Sequence, residues 1–266
     1  MSHFKAADYV FVICAYKESP YLEACIRSLK RQELPAKILL VTSTPNSHIE
    51  SLVQKYKLEY HINTGKGGIA EDWNFGLHMA KGRLVTIAHQ DDIYEPAFAK
   101  TVLEEVNRHS RPLIAFTDYG ELRNDTQVAK NLLLHVKRLM LFPMRIRKFQ
   151  DIRFIRRRIL SFGSPICCPS VTFVKENLPE PVFTSGYRSD VDWQAWERLS
   201  KYKGSFIYCK EILMFHRIHE ESETTAIIAD QGRTKEDFDM LCRFWPKPIA
   251  GLIGHFYRKG EISNRL

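Results

Sequence analysis

The sequence predicts an α/β fold whose central sheet is mostly parallel and carries helices on both faces. In the first half of the chain, short apolar runs alternate with stretches of helical periodicity, which is the order that βαβ units require. The chain has 266 residues, of which 44% are hydrophobic, so it can bury a sizeable core. No run reaches the roughly 20 apolar residues that a membrane-spanning helix needs.

The first strand and helix set this pattern. Tyr9–Cys14 is apolar at every position, as expected of a strand that is covered on both faces. Pro20 then opens a helix that runs to about Gln32, because proline suits the first helical turn. The apolar residues of this helix fall on one face: Leu22, Cys25, Ile26 and Leu29.

The later elements follow by the same reasoning. Asn46 can cap a second helix, since its side chain can accept a hydrogen bond from the first helical turn. The remaining predictions are strands at 37–41, at 59–62, in the apolar run before Asp91 and at 112–117, with helices at 69–80 and about 96–108.

Two adjacent acids, Asp91 and Asp92, follow the apolar run that contains Val85 and Ile87. Open α/β sheets bind their ligands at the carboxyl ends of the strands. Neighbouring carboxylates repel each other unless they share a cation, so the pair predicts a divalent-metal site that holds a phosphorylated ligand. The alternative is that both acids begin the next helix, whose dipole favours negative charge.

Two further features of the first half indicate an anionic ligand. Asn63–Gly68 is a glycine-rich loop before a helix, where backbone N–H groups can approach an anion and Lys66 adds charge. Its spacing fits neither a Walker loop nor a dinucleotide fingerprint, and a plain flexible turn is the alternative. Asn74 lies inside the following helix, an unfavourable place for asparagine.

Together these segments resemble the family 2 glycosyltransferases, which have the GT-A fold, over about residues 8–225. The order and spacing of several segments make the resemblance specific. The segments that resemble family motifs are Val12–Lys17, Tyr21–Gln32, Asn63–Gly76, His89–Asp92, Ser189–Leu199 and Phe215–Ser222.

The resemblance implies a metal-dependent, inverting enzyme of bacterial envelope or exopolysaccharide synthesis. It would move a sugar from a nucleoside-diphosphate donor to a hydroxyl of a glycan or lipid-linked acceptor. Asp192 takes the position of the general base, and Asp91, Asp92 and His219 would hold Mn²⁺ or Mg²⁺. The residues expected to contact the donor are Ala15, Tyr16, Glu18, Ser43, Gly65, Lys66, Asn74, His89, Gln90, Asp91 and Arg217.

Three positions depart from the family pattern. Thr42 and Ser43 stand where the family has an acidic pair, so the donor's nucleobase stays open. His89 replaces the first acid of the metal motif, and as a neutral imidazole it can hydrogen-bond near the ribose. Lys17 replaces an asparagine of the first turn. Because both acids at 91 and 92 remain, metal binding is still expected.

The positive charge is concentrated in one insert. Residues 130–158 contain ten bases and one acid, a surplus of nine (ten minus one), while the whole chain carries +8. Apolar residues interleave with these bases, as in helices that lie on anionic lipid. An anionic membrane surface is therefore an expected partner of 130–160. The alternatives are that the insert packs on the domain or joins copies in a homo-oligomer.

We expect three parts: a nucleotide-sugar-binding half at 1–120, an acceptor-side half at 121–225 that includes the basic insert, and a helical tail at 226–266. Six cysteines without CxxC spacing indicate reduced thiols, and the residues after Met1 do not have the build of a signal peptide. A cytoplasmic protein is expected, peripheral at the inner face of the cell membrane if the insert binds lipid.

Two rival function classes fit parts of the sequence. Nucleic-acid binding would suit the net charge of +8, but the basic insert is rich in aliphatic residues and carries no RNA-binding fingerprint, so no nucleic-acid partner is expected. A nucleotidyltransferase, or a non-catalytic sugar-nucleotide binder on a similar sheet, stays open as the alternative. A nucleotidyltransferase would release pyrophosphate, whereas a glycosyltransferase releases a nucleoside diphosphate.

Overall fold

The structure is a computed structural model that describes residues 3–219 and 232–262. The strands in this part are β1 (Tyr9–Ala15), β2 (Lys37–Thr42), β3 (Glu59–Ile62), β4 (Leu84–His89), β5 (Ile93–Tyr94), β6 (Pro112–Arg123), β7 (Thr126–Val128), β8 (Val171–Val174) and β9 (Ser205–Ile218). The helices are α1 (Leu22–Lys30), α2 (Ser47–Tyr56), α3 (Ile69–Met79), α4 (Phe98–Val106), α5 (Leu132–Met140), α6 (Arg147–Gln150), α7 (Arg153–Leu160), α8 (Val191–Leu199), α9 (Gly232–Cys242) and α10 (Lys247–Ile262).

One sheet runs through the described chain in the order β3-β2-β1-β4-β8-β6-β9-β5, with β7 paired to β6. β1 is parallel to both β2 and β4, and β6 is parallel to β9. The short strand β8 lies antiparallel between β4 and β6. This confirms the predicted α/β fold, and it places the carboxyl ends of β1, β2 and β4 side by side.

Two apolar layers cover the sheet, because successive strand residues point to opposite faces. In β1, Val10 and Val12 belong to the layer that contains Leu77 of α3 and Trp196 of α8. Phe11, by contrast, belongs to the layer that α1 and α4 cover. The alternation explains why β1 is apolar at every position.

The sequence predicted the strands of the first half closely and those of the second half poorly. Asn46 caps α2, with its Oδ1 accepting a hydrogen bond from the backbone N–H of Ile49 at 3.0 Å. β6, however, continues past the predicted end at Thr117 to Arg123, because it pairs along its length with β9. β8 and β9 were not predicted, since their pairing partners lie far away in the chain.

The basic insert folds into α5, a short 3-10 turn at Phe142–Arg145, α6 and α7. Arg156 of α7 is buried and donates hydrogen bonds to the backbone carbonyls of Ser200, Tyr202 and Gly204. Burial lowers the pKa of Arg156 to about 10. Among the described helices, none combines the length and apolarity that crossing a bilayer requires.

Gly76 allows α3 to lie close against the sheet. A Cβ at this position would come within 2.7 Å of Val12 Cγ1 on β1. We therefore expect Gly76→Ala to lower the free energy of unfolding by about 1–3 kcal/mol through overpacking, although alanine is the better helix former. Urea denaturation measures the change.

His78→Ala is the matched control for this substitution, since His78 is exposed on the same helix. Its effect should stay within about 0.5 kcal/mol. If Gly76→Ala were as stable as the wild type, the close approach of α3 to β1 would be wrong.

Candidate active site

Three adjoining cavities lie at the carboxyl ends of β1, β2 and β4. The glycine-loop cavity, of about 640 Å³, is lined by Ala15, Tyr16, Ser43, Gly65, Lys66, Asp72 and Arg188, among others. The Asp91 cavity, of about 550 Å³, is lined by Tyr16, Glu18, Tyr21, His89, Gln90, Asp91 and His219, among others. The Asp192 cavity, of about 200 Å³, is lined by His89, Lys137, Cys167, Arg188, Asp192 and His216, among others.

The three cavities form one cleft, because Ile69 and Trp73 line all of them. Trp73 stacks on His89, with ring centroids 5.2 Å apart and an interplanar angle of 21°. His89 in turn lines both the Asp91 cavity and the Asp192 cavity. The cleft therefore brings together predicted site residues from six separate segments of the chain.

Asp91 and Asp92 have different surroundings. Asp91 lines the cleft, and its Oδ2 lies 3.0 Å from His219 Nε2. Asp92 is fully buried, where its Oδ1 accepts hydrogen bonds from the backbone N–H of Arg217 at 2.9 Å and from His216 Nδ1 at 3.0 Å. One acid thus faces the cleft, while the other ties β4 to β9.

The histidines around this pair differ in protonation. Burial lowers the pKa of His89, so its imidazole is neutral at pH 7. Burial also favours neutral His216, but the charge and hydrogen bond of Asp92 outweigh it and raise the pKa of His216 to about 9. For Asp91, burial opposes ionisation, yet the hydrogen bond with His219 and the nearby imidazoles prevail and lower its pKa.

This group of residues fits a divalent cation. His89, Asp91 and Asp92 each offer a ligand atom, and these atoms lie within 4.8 Å of one another. His89 Nε2 and Asp92 Oδ2 are buried and have no hydrogen-bond partner among the described residues. Unpaired buried polar atoms are costly, and the two carboxylates of this set suit Mn²⁺ or Mg²⁺.

Gln90 holds the turn after β1. Its Oε1 accepts from the backbone N–H of Tyr16 at 3.0 Å, and its Nε2 donates to the carbonyl of Tyr16 at 3.0 Å. Both polar ends of the side chain are thus engaged by one residue. A donor contact by Gln90 stays a prediction, and the structure shows it fixing the backbone that borders the cleft.

Asn74 makes an equivalent pair of bonds outside the three cavities. Its Nδ2 donates to the carbonyl of Phe183 at 2.8 Å, and its Oδ1 accepts from the N–H of Phe183 at 3.0 Å. These bonds explain the asparagine inside α3, since they attach the helix to the segment that leads to α8. A contact between Asn74 and the donor stays a prediction.

Arg217 is buried beside the acid pair. Its Nε donates to the carbonyl of Asp91 at 2.9 Å, and its Nη1 contacts Asp125 Oδ1 at 2.6 Å. Its guanidinium carbon lies 4.2 Å from the centroid of the Tyr21 ring. In the described structure Arg217 supports the loop that carries Asp91, and its expected contact with the donor stays a prediction.

Asp72 is a residue of the cleft that the sequence analysis missed. Its two carboxylate oxygens accept hydrogen bonds from Ser43 Oγ and from Asn63 Nδ2, each at 2.7 Å. It therefore joins the ends of β2 and β3 inside the glycine-loop cavity. The sequence offered a weak signal, because an acid in the first turn of a helix is common for dipole reasons alone.

Asp192 lies in the first turn of α8, where its Oδ1 accepts from the N–H of Trp193 at 2.6 Å. It lines the Asp192 cavity with His89 and His216. His89 also belongs to the acid cluster, the name we give to the group of His89, Asp91 and Asp92. The sequence motif that ends at Ser222 is described only as far as His219, and its last three residues lie outside the described part.

Comparisons with known proteins agree with this arrangement. The sequence profile of glycosyl transferase family 2 matches residues 10–178. The chain belongs to this family. A curated relative, the glycosyltransferase GlyG of Streptococcus pneumoniae serotype 4, is 27% identical over 120 residues, which are 43% of this chain and 40% of GlyG. The chain therefore matches less than half the length of that relative.

Solved structures of other glycosyltransferases show the same GT-A fold. The Staphylococcus aureus TarS 1-349 complex with UDP-GlcNAc matches with a TM-score of 0.57 and 15% identity, over 89% of this chain and 71% of that one. The mannosyltransferase PcManGT of Pyrobaculum calidifontis, in complex with GDP-Man and Mn²⁺, matches with a TM-score of 0.57 and 14% identity, over 92% and 68%.

The role of Asn74 as an attachment point can be tested. Asn74→Ala leaves the N–H and carbonyl of Phe183 without their partner, which should lower the free energy of unfolding by about 1–3 kcal/mol. It should also speed hydrogen exchange at the Phe183 amide. Gln32→Ala is the control, because Gln32 makes two similar bonds, to Ala99 N–H and the Glu95 carbonyl. That variant should be destabilised without faster exchange at Phe183.

The His216–Asp92 pair gives a pH dependence. Because the pKa of His216 is raised, the pair stabilises the fold fully below about pH 6.5, and this stabilisation is lost as pH rises through about 9. In metal-free protein, the free energy of unfolding should fall over this range by on the order of 2 kcal/mol more than in His216→Gln. The exposed His135→Gln is the control and should keep the wild-type slope. Equal slopes in wild type and His216→Gln would contradict the pairing.

Proposed function

We propose that this protein is a nucleotide-sugar-dependent glycosyltransferase that requires a divalent cation and inverts the anomeric configuration. The observation that carries the proposal is a single cleft in which the acid cluster and Asp192 lie in neighbouring cavities that share His89. Such a cleft has a place for a diphosphate at one end and a proton acceptor at the other.

The donor would lie along the glycine-loop and Asp91 cavities. Lys66 lines the first of these, and α3 begins at the same loop. Backbone N–H groups and the Lys66 ammonium are therefore available to phosphate oxygens. The ring of Tyr16 is 44% exposed and borders both cavities, where it can contact the nucleoside. Ser43 and Asp72 supply polar atoms at the end of the cleft where the nucleobase would lie.

Asp91 and Asp92, with His89 and His219 beside them, would hold the metal ion. The chemistry that such an ion supplies when bound is neutralisation of the charge that develops on the leaving nucleoside diphosphate. Arg217 and His216 hold the two carboxylates in position through the carbonyl of Asp91 and through Asp92 Oδ1. These contacts fix the ligand atoms before the donor arrives, which is how a preorganised site stabilises developing charge.

Asp192 would act as the general base. A carboxylate that lines the cavity next to the acid cluster can remove the proton from an acceptor hydroxyl as the hydroxyl oxygen attacks the anomeric carbon. Because the attack comes from the side opposite the leaving group, one displacement inverts the anomeric centre. The products are the glycosylated acceptor and a nucleoside diphosphate.

The bound ligands of the structural neighbours support this donor class. TarS was crystallised with UDP-GlcNAc and PcManGT with GDP-Man and Mn²⁺. A third neighbour, the glucosyl-3-phosphoglycerate synthase of Mycobacterium tuberculosis, was crystallised with Mn²⁺, UDP and phosphoglyceric acid, and matches with a TM-score of 0.55 and 13% identity, over 85% of this chain and 75% of that one. We propose a glycan or lipid-linked acceptor of bacterial envelope or exopolysaccharide synthesis, as the resemblance to the family implies.

Asp192→Asn tests the role of the base. We expect the variant to keep its fold and its nucleotide-dependent rise in melting temperature with Mn²⁺, and to lose sugar transfer by about 10²–10⁴-fold. Asp239→Asn, at an exposed aspartate of α9, should keep wild-type transfer. Wild-type turnover of Asp192→Asn would exclude Asp192 as the base. Release of pyrophosphate rather than nucleoside diphosphate by the wild type would identify a nucleotidyltransferase instead.

A further inference from the structure

Helix α5 directs its basic residues toward the protein. Arg138 Nε donates to Asp118 Oδ2 at 2.7 Å, and its Nη2 donates to the carbonyl of Tyr119 at 2.9 Å. Lys137 Nζ donates to the Tyr119 hydroxyl at 2.9 Å, and Leu134 on the same side is 1% exposed. The inner face of the helix thus carries two cations that are already engaged.

The outer face of α5 carries the aliphatic residues. Leu132, Val136 and Leu139 are exposed by 65%, 44% and 66%, and Phe142 in the following turn is exposed by 60%. Their spacing of three and four residues places them in one row along the helix. We name this row the outer stripe. A surface helix normally has the opposite arrangement, with its apolar side toward the core.

Positive charge that forms no ion pair within residues 3–219 and 232–262 surrounds the outer stripe. Lys130 precedes it, and Arg145, Arg147 and Lys148 follow it, all exposed. The guanidinium of Arg145 lies 5.9 Å from the centroid of the Phe142 ring. Residues 130–150 contain no acid that could neutralise these bases. The stripe with its bases is therefore an apolar surface inside a cationic margin.

The opposite side of the same helix reaches the cleft. Lys137 lines the Asp192 cavity, so the outer stripe and that cavity are separated by about one helix diameter, roughly 10 Å. A partner that covers the stripe would lie next to the place where the acceptor enters.

We propose that the outer stripe docks on the surface of an anionic lipid bilayer, with α5 lying in the interface. Exposed aliphatic residues enter the headgroup region, and the flanking bases contact anionic headgroups. A second copy of this chain fits the stripe less well. Apposed copies would bring Lys130, Arg145 and Arg147 together, and residues 130–150 supply no acid to pair with them.

Docking in this orientation places the Asp192 cavity close to the membrane. An acceptor anchored by a lipid tail could then reach Asp192 without leaving the bilayer. This last step, the identity of the acceptor, rests on the proposed function, whereas docking itself does not. Vesicle binding without donor or acceptor therefore tests the docking surface separately from the reaction.

The experiment is sedimentation of the full chain with vesicles of phosphatidylcholine, alone or mixed with phosphatidylglycerol. The wild type should pellet with the mixed vesicles and less so as salt rises, because screening weakens the contribution of the bases. The stripe variant Leu132→Ser, Leu139→Ser, Phe142→Ser should bind about tenfold or more weakly, since three apolar side chains no longer enter the interface. Arg147→Gln with Lys148→Gln should bind about tenfold more weakly at low salt.

Matched variants elsewhere on the surface serve as controls. Ile62→Ser with Tyr202→Ser removes two large side chains that are also exposed, by 41% and 40%, and Lys203→Gln with Lys210→Gln removes two exposed bases. Both should bind vesicles like the wild type. Circular dichroism and melting temperature check that each variant is folded.

Three results would overturn the proposal. The first is a wild type that does not pellet with anionic vesicles. The second is a folded stripe variant that binds them as well as the wild type. The third is light scattering that shows the wild type as a dimer and the stripe variant as a monomer, which would assign the stripe to a second copy of the chain.

Discussion

The site depends on one buried carboxylate. Asp92 accepts hydrogen bonds from the backbone N–H of Arg217 and from the ring N–H of His216. It therefore joins the end of β4 to the end of β9 across 125 residues of sequence. This contact also fixes the position of Asp91 at the cleft, because Arg217 donates a hydrogen bond to the carbonyl of Asp91. It further leaves Asp92 Oδ2 unpaired among the described residues, next to His89 and Asp91. One oxygen of this side chain thus attaches β4 to β9, and the other is left for the proposed cation.

Amide side chains hold the remaining borders of the cleft. Gln90 pairs with both backbone groups of Tyr16, and Asn74 pairs with both backbone groups of Phe183. Each pair replaces the two hydrogen bonds that a neighbouring strand would make, at places where no strand is available. Backbone polar groups near the cleft are thereby satisfied without closing it, so the loops keep a defined position and the cavities stay open to ligands.

The sequence was sufficient for the first half of the fold and for the end of the sheet at which most of the candidate site residues lie. Apolar runs and turn residues are local signals, so β1 to β4 and the adjacent acids could be predicted from them. The role of a side chain depends on its partner, and for Gln90, Asn74 and Arg217 that partner lies 74 to 126 residues away. Asp72 and Trp73 escaped notice because an acid and an aromatic residue in an amphipathic helix have ordinary explanations. β8 and β9 depend on pairing that no local pattern records.

Trp73 has a consequence for how ligands in the three cavities would affect one another. Its indole forms part of the wall of all three cavities and stacks on His89. A molecule that displaced Trp73 in one cavity would change the shape of the other two, and the free energies of binding at the two ends of the cleft would then be linked. The coupling is reciprocal: whatever one ligand gains from a prior occupant, the other gains equally. Any such coupling would pass through a single aromatic ring.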